Sequence, residues 1–234
     1  MRDAFPDATI AFIDLPESMH TLAEGDLRAG VDDLLRRPWT DDALCEDIAR
    51  RVADVGWVRR VGSVHRLANG RFDISAEYRR PVALVQKESQ FVLVDGHGVR
   101  LPGRYAYDPR WPLIQGVAAP VPSPGATWPG DDLRAGLAVL ERIEPEPFRD
   151  QITAILVDNF GGRIHPRSSH IELATDQAGG RIGWGSAPGA EVEENDVEQK
   201  LALLRATYRE TGRVDGHHAV IDVSTYADRY TIPG

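Results

Sequence analysis

An α+β protein in two parts is what the sequence predicts. Residues 1–80 read as a strand–helix–helix–strand–strand unit, and 81–234 as a curved, mostly antiparallel β-sheet with two helices on one face. Three observations carry this. Phe72, Ile74, Ala76 and Tyr78 alternate with Arg71, Asp73, Ser75, Glu77 and Arg79, the period of a strand with one buried and one wet face. Two earlier stretches place apolar residues three to four apart: Leu27, Val31, Leu34 and Leu35, then Leu44, Ile48, Val52 and Val55. Pro81 then ends the polar alternation, and Val82 to Val85 open a wholly apolar run, so the chain passes from one small sheet into another.

Each element has a local reason. Ala8 to Leu15 reads as the first strand and Leu22 to Leu35 contains the first helix. Thr40 is placed as N-cap of the second helix, with Asp41 and Asp42 at the positive end of its dipole, and Gly56 as the residue that stops it in a left-handed conformation. Asn69-Gly70 supplies the turn that folds the strand from Val58 back antiparallel. In the second part Phe91 to Leu101 reads as a hairpin closed by Asp95-Gly96-His97-Gly98. The seven prolines between 102 and 130 argue for a long surface excursion pinned by Trp111 and Trp128, with no central strand. Asp131-Asp132 begins a helix carrying Leu133, Leu137, Leu140 and Ile143. Strands follow at Ile152 to Val157, His170 to Ala174 and Arg181 to Trp184, then a helix from Asp196 to Thr211 and a last strand from His218 to Val223.

Composition excludes several classes. Of 234 residues 42% are hydrophobic and 27% charged, which predicts a folded chain. A net charge of −9 argues against nucleic acid, whose phosphates need a basic face. The single cysteine, Cys45, supplies neither a disulfide nor a thiolate pair for zinc and reads as a small core residue. No run approaches the ~18 apolar residues that span a bilayer. His217-His218 with Asp215 and Asp222 could suggest a metal, but adjacent strand residues point to opposite faces. The glycines at Gly183, Gly185 and Gly189 lack the spacing of a phosphate loop, and Ser168-Ser169-His170 lacks that of a hydrolase elbow. The acidic run Glu191, Glu193, Glu194 and Asp196 reads as solvated, with its last members favouring the helix start at Asp196. No nucleophile, base and oxyanion donor converge, so the sequence predicts neither an enzyme nor a bound cofactor.

An ordered set of short motifs points further. Trp57-Val58 closes a helix, and Glu77-Tyr78-Arg79-Arg80-Pro81-Val82-Ala83 leads into the second part. Leu93-Val94-Asp95-Gly96-His97-Gly98-Val99, Pro112-Leu113-Ile114-Gln115-Gly116, Lys200-Leu201-Ala202-Leu203-Leu204 and Val220-Ile221-Asp222-Val223 follow in order. In this the chain resembles the extracytoplasmic region of the FtsQ/DivIB bacterial cell-division proteins over roughly residues 20–230. The resemblance implies that residues 1–80 are a POTRA domain (polypeptide-transport-associated), whose element order is the one predicted, and that 81–234 are the family's β-domain. It implies a non-enzymatic divisome scaffold on the extracytoplasmic face of the inner membrane, where an FtsB/FtsL-like coiled-coil pair adds a strand to the last strands of the β-domain. The matching edge is Val220, Ile221, Asp222, Val223, Ser224, Thr225 and Tyr226, with Arg167 standing in for a basic residue of the family. The family's Arg after the Asp is absent here, and its members carry a transmembrane helix ahead of these domains. Two rival classes are a POTRA-containing outer-membrane transport protein and a small-molecule-binding α+β protein. The former should show further repeats or ten-residue alternating barrel strands, and the latter a pocket with convergent polar groups.

Overall fold

The computed structural model describes residues 8–225, and their contacts divide the chain into two compact units. In the first, strand β1 (Thr9–Phe12) is followed by helices α1 (His20–Ala29) and α2 (Leu44–Ala53) and by the hairpin β2 (Val58–Arg66) and β3 (Arg71–Tyr78). The sheet order is β1-β3-β2, with β1 parallel and β2 antiparallel to the central β3. The alternation predicted for β3 is observed: Phe72, Ile74 and Ala76 are buried, and they meet Ile10 and Phe12 of β1 with Ala23 and Leu27 of α1 and Leu44, Ile48 and Val52 of α2 in the buried set. Trp57, fully buried, donates its indole N–H to Asp26 of α1 at 2.8 Å. Gly70, at φ 80°, makes the β2–β3 turn as expected.

Three local expectations are corrected. Thr40 is not the cap of α2: the helix starts later, its N-cap is Ala43, and Asp41 instead accepts from the Ala43 amide while its other oxygen binds Arg37. Cys45 is only half-buried, one position off the apolar stripe. Gly56 does not turn the chain through a left-handed conformation. It is required by a close approach instead, because residues 99–103 and 122–127 return to the first unit and a Cβ at Gly56 would lie 2.8 Å from the Gly125 amide nitrogen. Thus the chain re-enters this unit twice after residue 81.

The second unit is a sheet in the order β10-β9-β8-β7-β6-β4-β5. Its strands are β4 (Pro81–Lys87), β5 (Gln90–Asp95), β6 (Leu113–Gln115), β7 (Ile152–Leu156), β8 (Ile171–Thr175), β9 (Arg181–Gly185) and β10 (Val220–Asp222). The sheet is mixed, where the sequence suggested a mostly antiparallel one: β4/β6, β6/β7 and β9/β10 pair parallel, β7/β8 and β8/β9 antiparallel. For β6/β7 and β9/β10 the reason is that both helices of this unit are crossovers, whereas β4 returns to β6 through β5 and the proline-rich stretch. Helix α3 (Asp132–Ile143) lies between β6 and β7, and α4 (Val197–Thr211) between β9 and β10, and such a connection returns the chain in its original direction. Residues 91–101 are not a hairpin of their own; the chain reverses earlier, at Glu88-Ser89, and Asp95 to Gly98 form a turn leading out of the sheet. The proline-rich stretch does contain a central strand, since β6 fits its three residues between Pro112 and Gly116.

Register makes the two faces of this sheet explicit. Val85, Ile114, Ile155, Leu173, Ile182 and Ile221 stand in one row across six strands. They pack with Leu133, Leu137 and Leu140 of α3 and Leu201 and Leu204 of α4 in one core, so both helices cover the same face, as predicted. Gly56→Ala should lower stability by about 1–3 kcal/mol through overpacking against backbone, read from urea denaturation with an unchanged slope.

Candidate functional site

One residue along from the apolar row, a polar row crosses the opposite face. Gln115, Leu156, Glu172, Gly183 and Asp222 are successive cross-strand partners from β6 to β10, and the Gln86 side chain accepts a hydrogen bond from that of Gln115. Gly183 is where this row is open. A Cβ there would lie 2.6 Å from the Ser169 hydroxyl oxygen and 2.8 Å from an Asp222 carboxylate oxygen, so glycine leaves the space over β9 to these two side chains. Ser169 donates to Asp222 Oδ2 at 3.2 Å. Its loop is shaped by Asn159, whose amide donates to the carbonyls of His165, Ser168 and Ser169 and whose oxygen accepts from the amides of Ile164 and His165.

The electrostatics of the row are anionic. Burial pushes the Glu172 carboxyl above its ordinary range; the Arg181 charge opposes this, and Asp158 and Asp222 add to it. Among the described residues Glu172 and Asp222 have no ion-pair partner. A groove of about 340 Å³ lies on this face, lined by Gln86, Glu88, Gln115, Leu156, Asp158 and Arg181.

The predicted partner edge divides into three parts. Val220, Ile221 and Asp222 are β10, the end strand of the sheet. The Arg181 amide donates to the Ala219 carbonyl and the Val223 amide to the Gly183 carbonyl, so residues 219, 221 and 223 face β9. By alternation the amides and carbonyls of Val220 and Asp222 point away from the sheet. Val223, Ser224 and Thr225 are not a free edge. Asn195 holds them, its backbone amide donating to the Ser224 carbonyl and its side chain to the carbonyls of Val223 and Thr225 at 3.0 and 2.7 Å. Asp222 Oδ1 further accepts from the Ser224 amide and hydroxyl, and Val223 is buried in the core. Tyr226 lies outside the described residues. Arg167 is exposed in the loop that Asn159 organises, two residues before Ser169.

The acidic run leading into α4 is solvated only in part. Asp196 does cap the helix, in a reciprocal pair with Gln199. Glu194, however, accepts from the Ser186 amide and stands 3.3 Å from the ammonium of Lys200, which is fully buried and lies 5.3 Å from the centre of the Trp184 ring. This pair anchors the residue next to Asn195, and nothing in local sequence pattern marks it.

Asp215 and the two histidines form a structural junction. Burial pushes the Asp215 carboxyl up, but hydrogen bonds from Arg213, Thr175 and the His217 amide outweigh it and hold the carboxyl below its ordinary range. Among the described residues no group of three or more His, Cys, Asp or Glu side chains is placed to hold a metal ion. No family model matches the chain, and no curated protein matches it.

Two outcomes test this geometry. Asn195→Ala leaves the buried Val223 carbonyl without its partner, and should cost about 1–3 kcal/mol and speed amide hydrogen exchange at residues 223–225. Because the raised Glu172 carboxyl binds more protons folded than unfolded, its contribution to stability falls as pH rises from the ordinary carboxylate value to the raised one. Glu172→Gln should therefore match the parent protein below about pH 4 and exceed it in stability near neutrality, read from thermal melts across pH.

Proposed function

We propose that the chain is a non-enzymatic scaffold that recruits other proteins by accepting an added strand at β10. One observation carries this reading: β10 ends its sheet with the main-chain groups of Val220 and Asp222 directed outward and bonded to no described residue. An exposed edge of this kind offers a partner its amides and carbonyls, and the side chains alongside set specificity.

The particular scaffold we infer is an FtsQ/DivIB-like one, with a POTRA-type first domain over residues 1–80 and the family's β-domain over 81–234. Support comes from the ordered motifs and from the strand–helix–helix–strand–strand order of the first unit. On this reading the partners are an FtsB/FtsL-like coiled-coil pair and other divisome proteins. The place of work is the extracytoplasmic face of the bacterial inner membrane during septum formation, and no catalysis or cofactor is involved. No described helix is long and apolar enough to cross a membrane. The polar groove beside Arg181 favours a second reading, a small-molecule-binding protein.

Val220→Pro removes an outward amide without touching a bond to β9. It should abolish capture of extracytoplasmic segments of coiled-coil division proteins while circular dichroism remains that of the parent. Ser224→Pro, by contrast, breaks the Ser224 amide bond to Asp222 and should perturb folding as well. Full binding by a folded Val220→Pro protein would sink the edge reading. A thermal-shift screen with nucleotides, sugars and carboxylates should be silent, and a saturable shift abolished by Arg181→Ala would favour the second reading.

A further inference from the structure

We infer that the segment added at β10 carries a basic residue beside Asp222 and an apolar residue beside Val220, on the helix-free face of the sheet. This rests on the strand-addition reading and specifies its partner. Successive strands lie about 4.8 Å apart, so Glu172 and Asp222, on either side of the glycine-bearing β9, are about 10 Å apart. The Asp222 carboxylate uses one oxygen on Ser224 and the other on Ser169, all neutral donors, and no cation neutralises it among the described residues. A strand laid along the outer edge of β10 places its alternate side chains in the same row. One then stands next to Asp222, where opposite charges across a strand pair attract and like charges repel.

Val220 supplies the second requirement. It shares this face, two residues from Asp222, and is 57% exposed despite being apolar. The other face of the incoming strand meets Ile221, which is half-buried against the core. Length is limited as well, because Asn195 withdraws residues 223–225 from the edge. With only Val220 and Asp222 of the described residues presenting main-chain groups, few ladder bonds form, and the charge at one position decides which segment is held.

The test uses the full chain labelled with nitrogen-15 and short peptides of the pattern Thr-Val-Thr-X-Thr-Val-Thr, where X is Lys, Gln or Glu. The Lys peptide should move the amide resonances of Val220 and Asp222 and bind at least about fivefold more tightly than the Glu peptide. That preference should disappear in Asp222→Asn and shrink in Glu172→Gln, with the Gln peptide unaffected by either. Binding of all three peptides at β10 with equal affinity overturns the charge inference and leaves strand addition standing. Shifts confined to other residues, or none, overturn both. Binding that appears only when residues 226–234 are deleted assigns the edge to the chain's own C-terminus and likewise overturns the proposal.

Discussion

A buried carboxylate at the start of α3 holds the middle of the larger sheet together. Asp132 accepts from its neighbour's amide, from the Ala118 amide and from Arg163 at 2.9 Å. Arg163 also donates to the carbonyls of Gly116, Val157 and Asp158. One ion pair therefore gathers the ends of β6 and β7 and the first turn of the crossover helix between them. Strand β6 is three residues long and central, with too few ladder bonds to fix its own register. A guanidinium that satisfies several carbonyls at once, with a buried carboxylate beside it, is a strong directional constraint even though Arg163 itself reaches solvent. The polar row and the apolar row both run through β6, so their alignment out to β10 depends on this knot.

At the far end of the sheet a different device decides where pairing stops. Strand β10 is delivered by α4, and a strand leaving a crossover could continue pairing with β9 beyond the Val223 amide. Asn195 prevents it by taking the carbonyls of Val223 and Thr225, while Asp222 turns back on the Ser224 amide. Asn195 is positioned in turn by its neighbour Glu194, paired with the buried Lys200. A buried ion pair is weak evidence of net stabilisation, since desolvation offsets most of its attraction. Its value here is geometric. It fixes the loop before α4 and so the length of the exposed edge.

Much of the architecture was legible because its signals are local. The alternation in β3, the Leu44–Ile48–Val52 stripe, Gly70 and the Asp196 cap each depend on residues within one or two turns, and each stands as read. What was not legible depends on distant neighbours. Gly56 reads as a helix stop, yet its reason is Gly125, far along the chain. Strand β6 is hidden among prolines because its partners β4 and β7 come from either side of it in sequence. Strand sense in the larger sheet followed from helices being crossovers rather than caps on a meander, which periodicity cannot reveal. For the candidate site, a terminal strand was legible at His218 to Val223, of which Val220–Asp222 form the paired strand. The clamp by Asn195 and the row joining Glu172 to Asp222 exist only through register.

The two ends of the larger sheet are managed differently, and the difference bears on function. At the β5 end Phe91 bridges Tyr105, whose amide donates to the Phe91 carbonyl, and the Tyr107 ring lies 5.8 Å from the Phe91 ring. Chain and aromatic surface thus occupy that edge. At the β10 end protection comes from brevity and charge, both recognised ways of keeping sheet edges from pairing indiscriminately. Two copies meeting edge to edge at β10 in an antiparallel pair centred on Asp222 would set one Asp222 against the other, a like-charge contact that opposes association. On the proposed strand addition the same carboxylate would favour a segment of opposite charge. On that proposal, discrimination against a wrong segment and preference for a right one would reside in a single residue. That residue is held in place by Ser169 and Ser224 and given room by Gly183.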